Sequence, residues 1–114
     1  MDVDKAIATS VKTGKVVFGA NEAKRSVRAG KARLVVVSSN NPPEIREDLE
    51  YYGKASTIPV VTYKGNSFDL GRICGKRFPV STLTVKEPGD SEIMKLVEQY
   101  QESQEGVEEK VKEL

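Results

Sequence analysis

The stretch Gly19-Ala20-Asn21-Glu22, followed by Lys24, Arg25, Arg28, Lys31 and Arg33, holds five basic residues against one acid. Asn21 offers both a donor and an acceptor to a base edge. Glu22 offers acceptors only, suited to the N–H groups of guanine or cytosine. Arg25 is four residues on from Asn21 and three from Glu22, so a helix places it beside both. Free backbone N–H groups at the start of such a helix favour phosphate. Base edges read by some groups while others hold the backbone is the pattern RNA recognition requires. The competing reading makes Asn21 an N-cap and the cations a solvated face. Two further groups extend the first reading. Asn40 and Asn41 occupy a polar loop at a strand's C-terminal end, where open α/β sheets tend to bind ligands. Arg77-Phe78-Pro79-Val80 sets a cation, an aromatic and a rigid turn before the last strand, and an exposed Phe78 could stack on a base.

Catalysis has little to work with. Histidine is absent, which removes Ser-His and Cys-His pairs, His-ligated metals and His acid–base chemistry. One cysteine excludes an internal disulfide and a Cys-based zinc site. Cys74 lies among Leu70 and Ile73 with nothing to activate it, as expected of a small buried apolar side chain. Gly71-Arg72-Ile73-Cys74-Gly75-Lys76 departs twice from a phosphate loop: only three residues separate the glycines, and Arg77 stands where Ser or Thr should hold magnesium. Glu44 and Asp48 share a helix face, where acids in the first turns suit the helix dipole. The expectation is no enzyme, no catalytic residue, no cofactor and no metal.

These side chains need a frame of alternating helices and strands. Val3, Ile7 and Val11 recur at helical spacing up to Gly14. Residues 15–18 read as a short strand, and Asn21 can cap a helix running to Ala29. Leu34-Val35-Val36-Val37 reads as a strand covered on both faces. Pro43 suits the first turn of a helix carrying Ile45, Leu49 and Tyr52. Residues 60–63 read as a third strand, and Ser67 caps a short helix with Leu70 and Ile73 inward. Residues 80–85 read as the fourth strand, with Ser81, Leu83 and Val85 on one face. Asp90 can cap a last helix bearing Ile93, Leu96, Val97 and Tyr100. The alternation predicts an α/β fold, a three-layer α/β/α sandwich around a four-stranded parallel or mixed sheet.

The chain has 114 residues and a net charge of +1, so no global field draws it to nucleic acid or membrane. The charge is distributed unevenly. Residues 1–34 hold eight Lys/Arg and three Asp/Glu, a net of +5, whereas residues 90–114 hold three and eight, a net of −5. A basic working face and an acidic tail follow. Residues 1–100 read as one domain and 101–114 as an acidic extension, mobile or weakly helical. No apolar run approaches the roughly 20 residues of a membrane span, and the N-terminus lacks a signal-peptide shape.

The order Gly19-Ala20-Asn21-Glu22, Gly30-Lys31-Ala32-Arg33-Leu34-Val35-Val36-Val37, Ser39-Asn40-Asn41-Pro42, Asp48-Leu49-Glu50-Tyr51-Tyr52, Ile58-Pro59-Val60 and Pro88-Gly89-Asp90-Ser91 resembles the archaeal and eukaryotic large-subunit ribosomal protein L-thirty-e family, within the kink-turn RNA-binding superfamily. The similarity covers about residues 3–100. It implies the same sandwich with a mixed sheet, and no enzymatic activity. It also implies a monomer when free, at work in the cytoplasmic ribosome against ribosomal RNA and neighbouring ribosomal proteins. By position, it implies RNA contacts at Gly19 and Asn21, at Asn40, and at Phe78 and Val80. Asn21, Glu22 and Arg25 resemble the superfamily's Asn-Glu…Lys signature for tandem sheared G·A pairs. The family therefore implies a structural constituent of the large subunit that binds a kink-turn. The sibling alternative is the core protein of small guide ribonucleoproteins or of ribonuclease P. Those relatives carry a small aliphatic loop where this chain has Lys76-Arg77-Phe78-Pro79.

Overall fold

The computed structural model describes residues 3–95. Its elements follow in order: α1 (Val3–Thr13), β1 (Lys15–Phe18), α2 (Ala20–Arg28), β2 (Leu34–Val37), α3 (Pro43–Ser56), β3 (Val60–Thr62), α4 (Ser67–Ile73) and β4 (Thr82–Glu87). A further helical turn occupies residues 93–95. Leu96, Val97, Tyr100 and the acidic extension 101–114 lie outside the described residues.

The sheet order is β1-β4-β2-β3. β4 pairs antiparallel with both β1 and β2, while β2 and β3 are parallel. The sheet is therefore mixed, and β4 alone runs against the other three. β2 is buried along its whole length, and its alternation divides the interior. Leu34 and Val36 join Ile7, Leu70, Leu83 and Val85 under α1 and α4. Val35 and Val37 join Ala23, Val27, Leu49 and Ile58 under α2 and α3. Two cores on opposite faces of one sheet make the three-layer sandwich the alternation predicts.

Several local readings shift by a residue or two. The N-cap of α2 is Gly19, with φ 100° and ψ 153° and no side-chain cap. Asn21 thus lies inside the helix, and its side chain is free of the capping role. That backbone geometry is essentially restricted to glycine, which is why the helix begins there. α4 is capped by Asn66 in place of Ser67: Asn66 Oδ1 accepts from Asp69 N at 3.0 Å, and Asp69 Oδ2 accepts from Asn66 N at 3.1 Å. This is a reciprocal capping box. The fourth strand starts two residues late because Val80 N donates to Ser67 O of α4, at 2.9 Å, instead of to a neighbouring strand. At the last helical turn, Ser91 Oγ accepts from Ile93 N at 3.2 Å. Asp90 N instead donates to Thr13 Oγ1 at 2.9 Å.

Candidate nucleic-acid interface

Because β4 is reversed, the C-terminal ends of β1 and β2 meet the start of β4 at one edge of the sheet. Gly19 N donates to Thr82 O at 2.9 Å, and Ser38 N donates to Ser81 O at 2.9 Å. Three connections that are far apart in sequence are tied together there: the β1–α2 junction, the β2–α3 loop and the α4–β4 loop.

The first contributes the N-terminal turn of α2. Asn21 is exposed and lines a shallow groove with Lys24, Arg25, Arg28 and Ala29. Glu22 and Arg25 pair at 3.3 Å, so the acceptor and the cation one turn apart are held side by side. Lys24 reaches Asp48 of α3 at 3.2 Å. The Arg28 guanidinium lies 4.3 Å from the centre of the Tyr52 ring and donates to its hydroxyl. Seven residues of helix carry Arg28 about 10 Å along the axis from Asn21. Arg28, at the end of α2, and Lys31 beyond it are exposed, at the far end of the helix from Asn21.

In the second connection the two asparagines part. Asn40 is exposed, and its Oδ1 accepts from Ser67 N at 2.9 Å. Asn41 is buried, and its Nδ2 donates to Ser81 O at 2.8 Å and to Thr82 Oγ1 at 3.0 Å. Its donor is committed to Ser81 and Thr82 at the start of β4, so the side chain braces the loop that presents Asn40 and leaves little of itself exposed.

The third connection divides in the same way. Phe78 is 55% exposed, and Arg77 is exposed beside it. Val80 is 3% exposed, packed with Leu70 and Leu83. Val80 therefore anchors the loop from below, with little of its own surface exposed. Gly71 lets the loop come close: a Cβ there would lie 2.3 Å from Phe78 O. Lys76 Nζ sits 5.1 Å from the centre of the Phe18 ring, at the end of β1.

The edge thus gathers Gly19, Asn21, Glu22, Arg25, Asn40, Arg77 and Phe78 at or near its exposed rim, with Asn41 and Val80 beneath. Sequence reasoning missed Ser67, which accepts from Val80 N and donates its own N–H to Asn40. Nothing in its residue type marks that role. It also missed Phe68, 64% exposed next in the chain. Its signal was available: Phe68 is off the Leu70–Ile73 face of the short helix.

Comparison with known proteins adds a decisive finding. Residues 1–95 match the Ribosomal protein L7Ae/L30e/S12e/Gadd45 family. The chain belongs to that family. It is 46% identical over 97 residues to the large ribosomal subunit protein eL30 of Methanothermobacter thermautotrophicus, covering 85% of this chain and 99% of the relative. It is 49% identical over 98 residues to eL30 of Methanocaldococcus jannaschii, covering 86% and 89%. These relatives carry the name of the family that the motifs resemble. A solved structure described as a protein with unknown function from Bacillus halodurans C superposes with a TM-score of 0.69 at 24% identity, over 75% of this chain and 84% of that one. That likeness shows the shared fold.

Elsewhere in this L7Ae/L30e family member, the groups with chemical potential are quiet. Cys74 is buried in the core beneath α1 and α4. Burial pushes its thiol up to about 11, and nearby Lys76 only partly offsets this. Among the described residues no cluster of three or more Cys, Asp or Glu could hold a metal ion. No described helix is long and apolar enough to cross a membrane.

Proposed function

We propose that this chain is a structural constituent of the large ribosomal subunit that binds and stabilises a kink-turn in ribosomal RNA. The eL30 names of its relatives support the ribosomal assignment. The observation that carries the RNA reading is the joining of three connections at one sheet edge, with Asn21, Asn40 and Phe78 exposed on its rim. A kinked RNA presents splayed backbones and base edges to such a rim. Asn21 and Glu22 read base edges, Arg25 steadies Glu22, and Phe78 supplies a flat apolar surface for stacking. Lys24, Arg28 and Lys31 add positive charge along the flank for an RNA backbone. Asn41 and Val80 hold the presenting loops. Residues 1–100 are the binding unit, with 101–114 an appended acidic segment. The protein is monomeric when free and works in the cytoplasmic ribosome beside other ribosomal proteins. Its role is to hold RNA shape, with no reaction catalysed.

The sibling role, in small guide ribonucleoproteins or ribonuclease P, uses the same helix with a different last loop. The exposed Phe78 and Arg77 favour the ribosomal reading. The test is affinity for a kink-turn RNA against a straight duplex of equal length across a salt series. A preference of several kcal/mol, about a hundredfold or more, that survives moderate salt is expected. Equal affinity, with steep salt dependence alone, overturns the kink-turn reading. Persistence with small ribonucleoproteins instead of ribosomal subunits on cell fractionation overturns the ribosomal one.

A further inference from the structure

Phe68 belongs to neither core cluster. It lies in the first turn of α4, whose capping box is made by Asn66 and Asp69, and whose buried contacts are made by Ser67, Leu70 and Gly71. A phenylalanine left 64% exposed forgoes most of the stabilisation that burying its ring would bring. Its location is specific. The residue before it, Ser67, is hydrogen-bonded on one side to the Asn40 side chain and on the other to the Val80 backbone. Phe68 thus adjoins the junction of the β2–α3 and α4–β4 connections, next to the segment that presents Phe78.

The stretch of chain that carries it is mostly positive. Residues 64–80 hold Lys64, Arg72, Lys76 and Arg77 against the single acid Asp69, whose carboxylate already accepts from Asn66 N. Arg72 is four residues on from Phe68, one helical turn away, and exposed. None of the described ion pairs engages it. An exposed ring with a free guanidinium one turn away suits a nucleotide, the ring stacking on the base and the cation meeting its phosphate. A purely apolar protein segment would leave the cations unmatched, whereas one nucleotide engages both groups.

We propose that Phe68 and Arg72 form a second nucleotide-stacking platform, taking an unpaired base of the same RNA beside the one that Phe78 contacts. This rests on the kink-turn reading above and extends the interface from three connections to the outer face of α4.

The test measures full-length wild-type protein and the variants Phe68→Ala, Phe68→Leu, Phe68→Tyr, Arg72→Gln and Phe78→Ala. The probe is a kink-turn RNA carrying 2-aminopurine at each unpaired position in turn, with a straight duplex as reference. Phe68→Ala should weaken kink-turn binding by about five- to a hundredfold, the range for losing one stacked base. Phe68→Tyr should restore it and Phe68→Leu should not. One 2-aminopurine position, distinct from the one that responds to Phe78→Ala, should lose its quenching. Arg72→Gln should lower the salt slope by about one. Because the ring is exposed, circular dichroism and melting should be unchanged in all Phe68 variants. If wild-type protein does not prefer the kink-turn, the functional reading itself fails. If it does, and Phe78→Ala weakens binding while Phe68→Ala changes it less than twofold, the second platform alone is refuted. Equal binding by Phe68→Leu and wild type refutes stacking. Loss of ribosomal assembly by Phe68→Ala with RNA affinity unchanged would assign the ring to a protein neighbour and overturn the proposal.

Discussion

Helix α2 and the α4–β4 segment both carry clustered cations, but they hold them differently. On α2, Lys24 is paired with Asp48, Arg25 with Glu22, and Arg28 is stacked on Tyr52. In the α4–β4 segment, Arg72 and Arg77 have no ion pair among the described residues, and two phenylalanines face outward beside them. A cation held by a neighbour has lost part of its rotamer freedom before any ligand arrives, so α2 is a preorganised surface. A free cation beside an exposed ring gives up that freedom on binding. Under the kink-turn reading proposed above, α2 suits reading a fixed geometry, and the α4–β4 segment suits gripping bases splayed out by a bend.

Four substitutions break or sharpen that contrast. The largest effect is expected from Gly71→Ala. Its Cβ would press on the Phe78 carbonyl, so the loop must move, costing about 2–3 kcal/mol of stability in urea unfolding and weakening kink-turn binding as well. Phe78→Ala should leave stability near wild type yet lower affinity by about 1–3 kcal/mol, read by titration against kink-turn RNA. Asn21→Ala should cost about 1–2 kcal/mol in kink-turn affinity and little against straight duplex. Asn21 does not cap α2, so melting should move only slightly; a loss of about 1 kcal/mol in stability, the worth of an N-cap, would contradict the helix start at Gly19. The smallest effect belongs to Lys24→Ala. Its partly exposed pair with Asp48 is worth under about 1 kcal/mol, and RNA binding should change mainly through a salt slope shallower by up to about one.

Cys74 gives an independent check on the core. Its folded thiol is raised to about 11, above the ordinary thiol value of about 8.5. Between these values the unfolded chain loses a proton that the folded chain keeps, so stability is full below about pH 8.5 and falls as pH rises toward 11. Cys74→Ala should flatten that decline in a pH series of urea melts, and the wild-type thiol should resist alkylation at pH 8.

Much of the frame was legible in local pattern. The β-branched run at 34–37, the helical spacing of Val3, Ile7 and Val11, and the glycines after helices placed the main elements, since periodicity and punctuation are local properties. Errors clustered where a distant partner decides. Val80 and Ser81 read as strand because their neighbours in sequence are strand-like, but Val80 N bonds to α4. A second kind of error is local: Asn21 and Ser67 read as caps because their types suit capping, but the flanking Gly19 and Asn66 occupy the N-cap positions.

The candidate interface shows the same division more sharply. Residue type and spacing alone established a chain without histidine chemistry, with its positive charge toward one end and Asn-Glu…Arg at a helix start, and with the motifs of its family. Which of two adjacent asparagines faces solvent was decided by tertiary structure, because Asn41 bonds to Ser81 and Thr82, forty and forty-one residues away at the start of β4. Likewise Val80 is buried while Phe78 is exposed, because the loop closes onto Gly71 and Ser67. The physical reason is that hydrogen-bonding capacity belongs to a residue, whereas its availability depends on which partners the folded chain brings within reach.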